Sequence, residues 1–160
     1  MSSTTAVRVR AVRSTSKSRM HRALQVGAVA TAATAAITSC AIPSSSRTAA
    51  RAASVAQAQV GKPYVYGATG PGSFDCSGLT GYAYRAAGKT LPRTALQQYN
   101  ATAHIPKSQA RPGDLVFMGT PGSHVGIWIS PGMMVDAGKP ATGVVRRPMW
   151  SQNYVVGRVR

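Results

Sequence analysis

Phe74-Asp75-Cys76-Ser77-Gly78-Leu79 stands between a run of loop residues, Gly67-Ala68-Thr69-Gly70-Pro71-Gly72-Ser73, and a helical segment, Ser77 to Ala87, stopped by Gly88. A cysteine placed here falls at or next to a helix N-terminus. Unpaired N–H groups and the positive end of the macrodipole favour an anion there. That setting lowers a thiol's pKa and makes a thiolate nucleophile available near neutral pH. The same backbone amides can hold an oxyanion. A lone cysteine is more often a small buried hydrophobe inside a helix. The reading therefore turns on whether the chain supplies a base.

Working outward, Gly61-Lys62-Pro63-Tyr64-Val65-Tyr66-Gly67 is an aromatic segment ending in a turn. Before it, Arg47 to Val60 is Ala-rich and free of Gly and Pro, which predicts a helix with a modest apolar stripe of Ala50, Ala53, Val55 and Val60. After the cysteine helix, Leu91-Pro92-Arg93-Thr94 leads into a short helix running to about Ala101, with Pro92 and Thr94 near its start. Arg111-Pro112-Gly113-Asp114 is a turn, and beyond it the apolar period changes from helical to strand-like. Leu115 to Met118, Val125 to Ile129, Met133 to Ala137, Val144 to Arg146 and Val155 to Val159 read as short strands. Helices first and a strand meander after predict an α+β domain with an antiparallel sheet of five to six strands.

There are three histidines. His21 lies in the basic leader, and His104 is placed in a loop before Pro106. His124 begins the second strand, and a His there can point from the sheet edge toward a helix packed on it. A Cys–His pair needs that arrangement, thiol and imidazole within hydrogen-bond reach on different rigid elements. A third group must fix the imidazole tautomer. Asp136, 12 residues after His124 and across the Pro131-Gly132 turn, has the spacing of a cross-strand neighbour. It reads equally as a turn residue before Ala137-Gly138.

The 160 residues allow one domain, with 44% hydrophobic residues to build its core. Nineteen Lys and Arg face three acids, a formal charge of +16. From Gly61 onward eleven bases and all three acids leave +8, a surface drawn to polyanions such as an anionic cell envelope. The bases form no block and no nucleic-acid motif appears, so no nucleic-acid partner is expected. Six bases lie within residues 1–22, and Ala23 to Ser39 is an uncharged, weakly apolar run. This is the pattern of a secretory signal peptide, spanning 1–40, with Met20 as an alternative start. The run ends Ile37-Thr38-Ser39-Cys40, a loose match to the lipobox of bacterial lipoproteins, so membrane attachment is expected only through a lipid on Cys40. Residues 41–46, with Pro43-Ser44-Ser45-Ser46, read as a linker and 47–160 as the domain. Removal or lipidation of Cys40 leaves Cys76 unpaired, which flags a reactive thiol in an exported chain. Three acids and one available cysteine do not make a zinc site, and neither metal nor cofactor is expected.

From about Val60 to the C-terminus the chain resembles the NlpC-type cell-wall peptidases, a papain-like cysteine peptidase family. The stretches GKPYVYGATGPGSFDCSGLTGYAY, LPRTALQQY, ARPGDLVF, SHVGIWI and MMVDAG carry the resemblance, in family order, with 48 residues from Cys76 to His124. It implies a papain-like α+β fold, the nucleophile helix packed on the sheet, and hydrolysis of an amide bond in peptidoglycan stem peptides. The usual bond joins γ-D-glutamyl to the diamino acid. The resemblance makes Cys76 the nucleophile, His124 the base and Asp136 the third polar residue, and it places the Tyr64 hydroxyl beside the thiol. Asp75 falls where some members bind a free amino group, and Ser77, Arg93 and Ser123 fall on oxyanion or substrate positions. The family more often has His where Asp136 stands, and many members have Trp where Tyr66 stands. The expected protein is a monomeric, secreted or envelope-associated endopeptidase. The alternatives are an amidase or transferase acting on another amide with the same pair, or a catalytically silent, basic envelope-binding lipoprotein.

Overall fold

The computed structural model describes residues 43–160, so the signal-like leader, Ile37 to Cys40 and His21 lie outside the described residues. Helix α1, Ser44–Gln57, starts three residues before Arg47, so Ser44 to Ser46, expected in a linker, form its first turn. The Pro43 carbonyl accepts the N–H groups of Ser46 and Arg47 at 3.0 and 3.2 Å, which holds that turn in place. α1 buries Ala52, Ala53 and Ala56. Side chains ending at Cβ let its backbone approach the next helix closely. Of the expected stripe, Ala53 is buried and Val55 partly so, whereas Ala50 and Val60 are exposed.

Helix α2, Cys76–Ala86, begins at the cysteine itself, with Asp75 as N-cap and Gly88 at φ +89° just past its end. Gly88 takes the left-handed conformation that other residues resist. Helix α3, Ala95–Ala101, opens on a capping box in which the Thr94 side chain accepts the Gln97 N–H and the Gln97 side chain accepts the Thr94 N–H. Pro92 thus precedes the helix rather than entering it. Among the described residues no helix is long and apolar enough to cross a membrane.

Six strands follow: β1 Ala103–Ile105, β2 Leu115–Met118, β3 His124–Ser130, β4 Met133–Ala137, β5 Val144–Pro148 and β6 Tyr154–Arg158. They form one antiparallel sheet in the order β1-β6-β2-β3-β4-β5. β1 replaces the loop expected around His104. Three residues are too few to show a period, and the strand exists because it pairs with β6. Alternation gives the sheet two dissimilar faces. Leu115, Phe117, Val125, Ile127, Val135 and Val144 pack in one core with Leu79, Ala83 and Tyr84 of α2 and the alanines of α1. Val116, Met118, Trp128, Met134 and Val156 form a second cluster on the opposite face. His124 pairs with Met118 and Arg147 with Met134, so both belong to that second face, as does Asp136, two residues from Met134.

Candidate active site

The start of α2 is fastened by one carboxylate. Asp75 Oδ1 accepts the Gly78 N–H at 2.6 Å, the Ser77 hydroxyl at 3.3 Å and Arg93 Nη1 at 3.2 Å. Its Oδ2 accepts the Gly67 N–H at 2.9 Å and Arg93 Nη2 at 2.5 Å. Burial pushes the Asp75 carboxyl up, but Arg93 and the two backbone N–H groups outweigh it and hold the group below the usual carboxylate range. Gly78 explains how the loop comes so close. A Cβ there would strike the Ala68 carbonyl, and that carbonyl accepts the Asp75 N–H at 2.9 Å. Gln98 of α3 ties the same turn from behind, donating to the carbonyls of Ser77 and Pro92 at 3.1 and 2.9 Å.

Cys76, the first residue of α2, is a free, half-buried thiol. β3 brings two groups toward it, the His124 side chain and the Val125 N–H, and both favour the thiolate over the thiol. Burial pushes the Cys76 thiol up, yet the bond to His124, the imidazolium charge and the Val125 N–H prevail and lower it; the Asp75 charge opposes them. The imidazole is held from the other side by Asp136, whose Oδ2 lies 2.7 Å from Nε2, leaving Nδ1 for the thiol. Burial lowers the His124 pKa, but the hydrogen bonds and charges of Asp136 and Cys76 raise it to about 9. Cys76, His124 and Asp136 thus form a line in which each group favours the charged form of the next. Such a line can add sulfur to an electrophilic carbon and protonate a departing group.

Asp136 is fully buried and has a second partner. Arg147 of β5 donates Nε to Oδ1 at 2.9 Å and Nη2 to Oδ2 at 2.6 Å. Burial raises the Asp136 carboxyl, and His124 and Arg147 together bring it below its ordinary value. The indole of Trp150 closes the cluster, with its centroid 4.2 Å from the Arg147 guanidinium carbon and 5.1 Å from the His124 ring centroid.

Tyr64 packs against the core beside Cys76, and burial followed by the charges of Cys76 and Asp75 raises its phenol pKa, which keeps it a donor. Ser123 is exposed and donates its hydroxyl to the Met118 carbonyl at 2.7 Å, closing the turn before His124. Ser77 is buried and accepts Arg93 Nη1 at 2.9 Å. His104 lies on β1, with Nε2 3.0 Å from the Tyr99 carbonyl. The structure thus gathers Tyr64, Asp75, Cys76, Ser77, Arg93, His124 and Asp136, and gives Ser123 a turn. Arg147, Trp150 and Gln98 escaped sequence reasoning. Arg147 and Asp136 sit diagonally across β4 and β5, a relation visible only once the register is known. Among the described residues no three His, Cys, Asp or Glu side chains gather as a metal-ligand set.

A probable endopeptidase p60 of Listeria monocytogenes is 51% identical over 84 residues, which cover 51% of this chain and 17% of that protein. The bifunctional muramidase/DL-endopeptidase CwlT of Bacillus subtilis is 43% identical over 83 residues, covering 48% of this chain and 25% of that protein. This chain therefore spans a quarter or less of the length of these two relatives. Among solved structures, the peptidoglycan hydrolase RipB of Mycobacterium tuberculosis matches with a TM-score of 0.65 at 31% identity, over 74% of this chain and 69% of that one. The NlpC/P60 family model matches residues 61–159, the stretch that carries Cys76, His124 and Asp136, and the chain belongs to that family.

Proposed function

We propose that this chain is an exported endopeptidase that cleaves peptidoglycan stem peptides at the bond between γ-D-glutamyl and the diamino acid. The observation that carries the reading is the line from Cys76, at the first position of α2, through His124 to the buried Asp136. In the proposed reaction the Cys76 thiolate adds to the amide carbonyl. The Cys76 N–H and the Tyr64 hydroxyl receive the oxyanion. Imidazolium His124 gives its proton to the leaving amine, the C–N bond breaks, and a thioester remains. Water, deprotonated by His124, then releases the acid and restores the thiol.

Asp75 is engaged by five internal donors, so its part is to cap α2 and position Arg93. The Arg93 side chain is 44% exposed and suits the free α-carboxylate that a γ-linked glutamyl residue retains. Support for the substrate class comes from RipB, named a peptidoglycan hydrolase, and for the bond class from CwlT, named a DL-endopeptidase. The basic leader and Ile37 to Cys40 support export, with Cys40 as a candidate lipid anchor. Anionic wall polymers fit the charge balance as a further partner.

The test is digestion of purified cell wall, with products identified by mass. New amino termini on the diamino acid are expected, and Cys76→Ala should abolish them while leaving the circular dichroism spectrum unchanged. Hydrolysis by that variant within about tenfold of wild type would remove Cys76 as nucleophile. Fragments ending elsewhere would reassign the bond. N-terminal sequencing of the mature protein checks export: a chain retaining Arg8 to Arg22 would overturn the signal reading.

A further inference from the structure

Trp150 is one of five large hydrophobic side chains exposed among the described residues, and its relative exposure is 52%. It is not loosely placed. It follows β5, whose end is tied down by the Met149 N–H donating to the Gly132 carbonyl at 2.9 Å. The Arg147 guanidinium that packs on the indole is itself fixed by two hydrogen bonds to the buried Asp136. An aromatic surface held this firmly beside the catalytic imidazole, yet half open to water, is suited to receive a ligand. The guanidinium and the tilted His124 ring cover part of the indole, and the remainder is open to water.

The position of Trp150 relative to His124 says which part of a substrate reaches it. In the reaction proposed above, the leaving nitrogen must come within hydrogen-bond reach of His124 to be protonated. The residue that owns that nitrogen therefore lies on the imidazole side of the thiol, where the indole centroid is 5.1 Å from the ring. Arg93 and Asp75, at the start of α2, are the groups that the reaction proposed above assigns to the acyl part. We propose that Trp150, braced by Arg147, is the wall of the leaving-group subsite and packs against the methylene stem of a diamino acid. The inference rests on the stem-peptide reading and adds to it a specificity-determining residue. A straight chain of methylenes is the part of a diamino acid that gains by leaving water for an indole face.

Two γ-D-glutamyl dipeptide amides with one acyl part, ending in L-lysine or in glycine, test this. The readout is the ratio of their kcat/KM values, which cancels any general damage to His124. Wild type is expected to prefer the lysine compound. Trp150→Ala should reduce the ratio about tenfold, and Trp150→Phe should restore most of it. An unchanged ratio in Trp150→Ala would overturn the proposal, because an indole that merely shields His124 from water would slow both substrates alike. If wild type cleaves neither compound, the stem-peptide reading fails, and the subsite is then judged by binding alone. Cys76→Ala protein titrated with L-lysinamide should show a saturable change in tryptophan emission that glycinamide does not produce. The change should vanish in Cys76→Ala/Trp150→Phe, where only the buried Trp128 remains. No change with L-lysinamide, or the same change without Trp150, would sink the subsite.

Discussion

Asp136 shares its charge between a titrating partner, His124, and a permanent cation, Arg147. Opposite shifts in pH dependence follow for removing that carboxylate's charge and for removing its arginine. Asp136→Asn keeps a hydrogen-bonding group but removes the charge that favours the imidazolium. It should lower kcat/KM and move the basic limb, expected near the His124 pKa of about 9, toward lower pH. Arg147→Met should also lower kcat/KM, since Asp136 loses its brace. Its basic limb should move the other way, to higher pH, because the whole carboxylate charge then acts on His124 and a nearby cation is gone. The groups facing His124 are Cys76 of α2, Asp136 of β4 and, through Asp136, Arg147 of β5. A pH–rate series on one defined fragment with wild type and both variants checks the signs. Superimposable profiles would show that neither residue reaches the imidazole. Asp136 was legible in the sequence as a cross-strand neighbour with a rival reading as a turn residue. Its hydrogen bond to His124 and its complete burial place it in the Cys–His line.

Helix α2 presents Cys76 at its first position because its first turn is held from three sides. Asp75 caps it, Gln98 grips the Ser77 carbonyl, and the Ala68 carbonyl lies against Gly78. Asp75→Ala removes the cap and the anchor of Arg93 together. A loss of about 2 kcal/mol in denaturant unfolding is expected, with Arg93, already part-exposed, released to water rather than left buried and unpaired. Gly78→Ala sets two effects against each other. Alanine gains about 1 kcal/mol in a helix interior, but its Cβ meets a backbone carbonyl, and overpacking costs about 1–3 kcal/mol. The carbonyl is tied to the Asp75 N–H and cannot retreat cheaply, so the variant should be destabilised. An increase in its unfolding midpoint would show that the loop gives way freely. The cap, the glycine stop and the capping box of α3 could all be read from local residue types. α1 was misplaced at its start because three serines in a row look like a linker, whereas after Pro43 they serve as a first helical turn.

Across the described part of the molecule, all three acids are buried and each is gripped by an arginine: Asp75 by Arg93, Asp136 by Arg147 and Asp114 by Arg158. No acidic side chain is left on the surface to interrupt the remaining lysines and arginines. A surface of one sign attracts polyanions, and salt screens the attraction. Binding to whole cell wall should therefore weaken markedly between roughly 50 and 200 mM salt, while cleavage of a small soluble fragment should change little. Equal salt dependence in both would mean the surface charge has no part in wall binding. Acid should also unfold the protein. Asp75 and Asp136 both have folded pKa values below the unfolded range of about 4, so their stabilisation is present above that range and lost as pH falls through the folded values. Unfolding curves between neutrality and pH 2 check this.

What the sequence alone determined was whatever depends on neighbours in the chain: the cysteine at a helix N-terminus, the caps, the change to a strand period after Asp114, and the order Cys76, His124, Asp136. These rest on local backbone chemistry and on spacing across one short turn. Tertiary structure alone decided which arginine meets which acid, at separations of 18, 11 and 44 residues, because such pairs are chosen by sheet register and by which side chains burial brings together. It also made β1 from a segment with no period of its own, and it set Trp150 against the imidazole. An isolated arginine or tryptophan carries no local signal of its partner; the partner is supplied when the sheet folds.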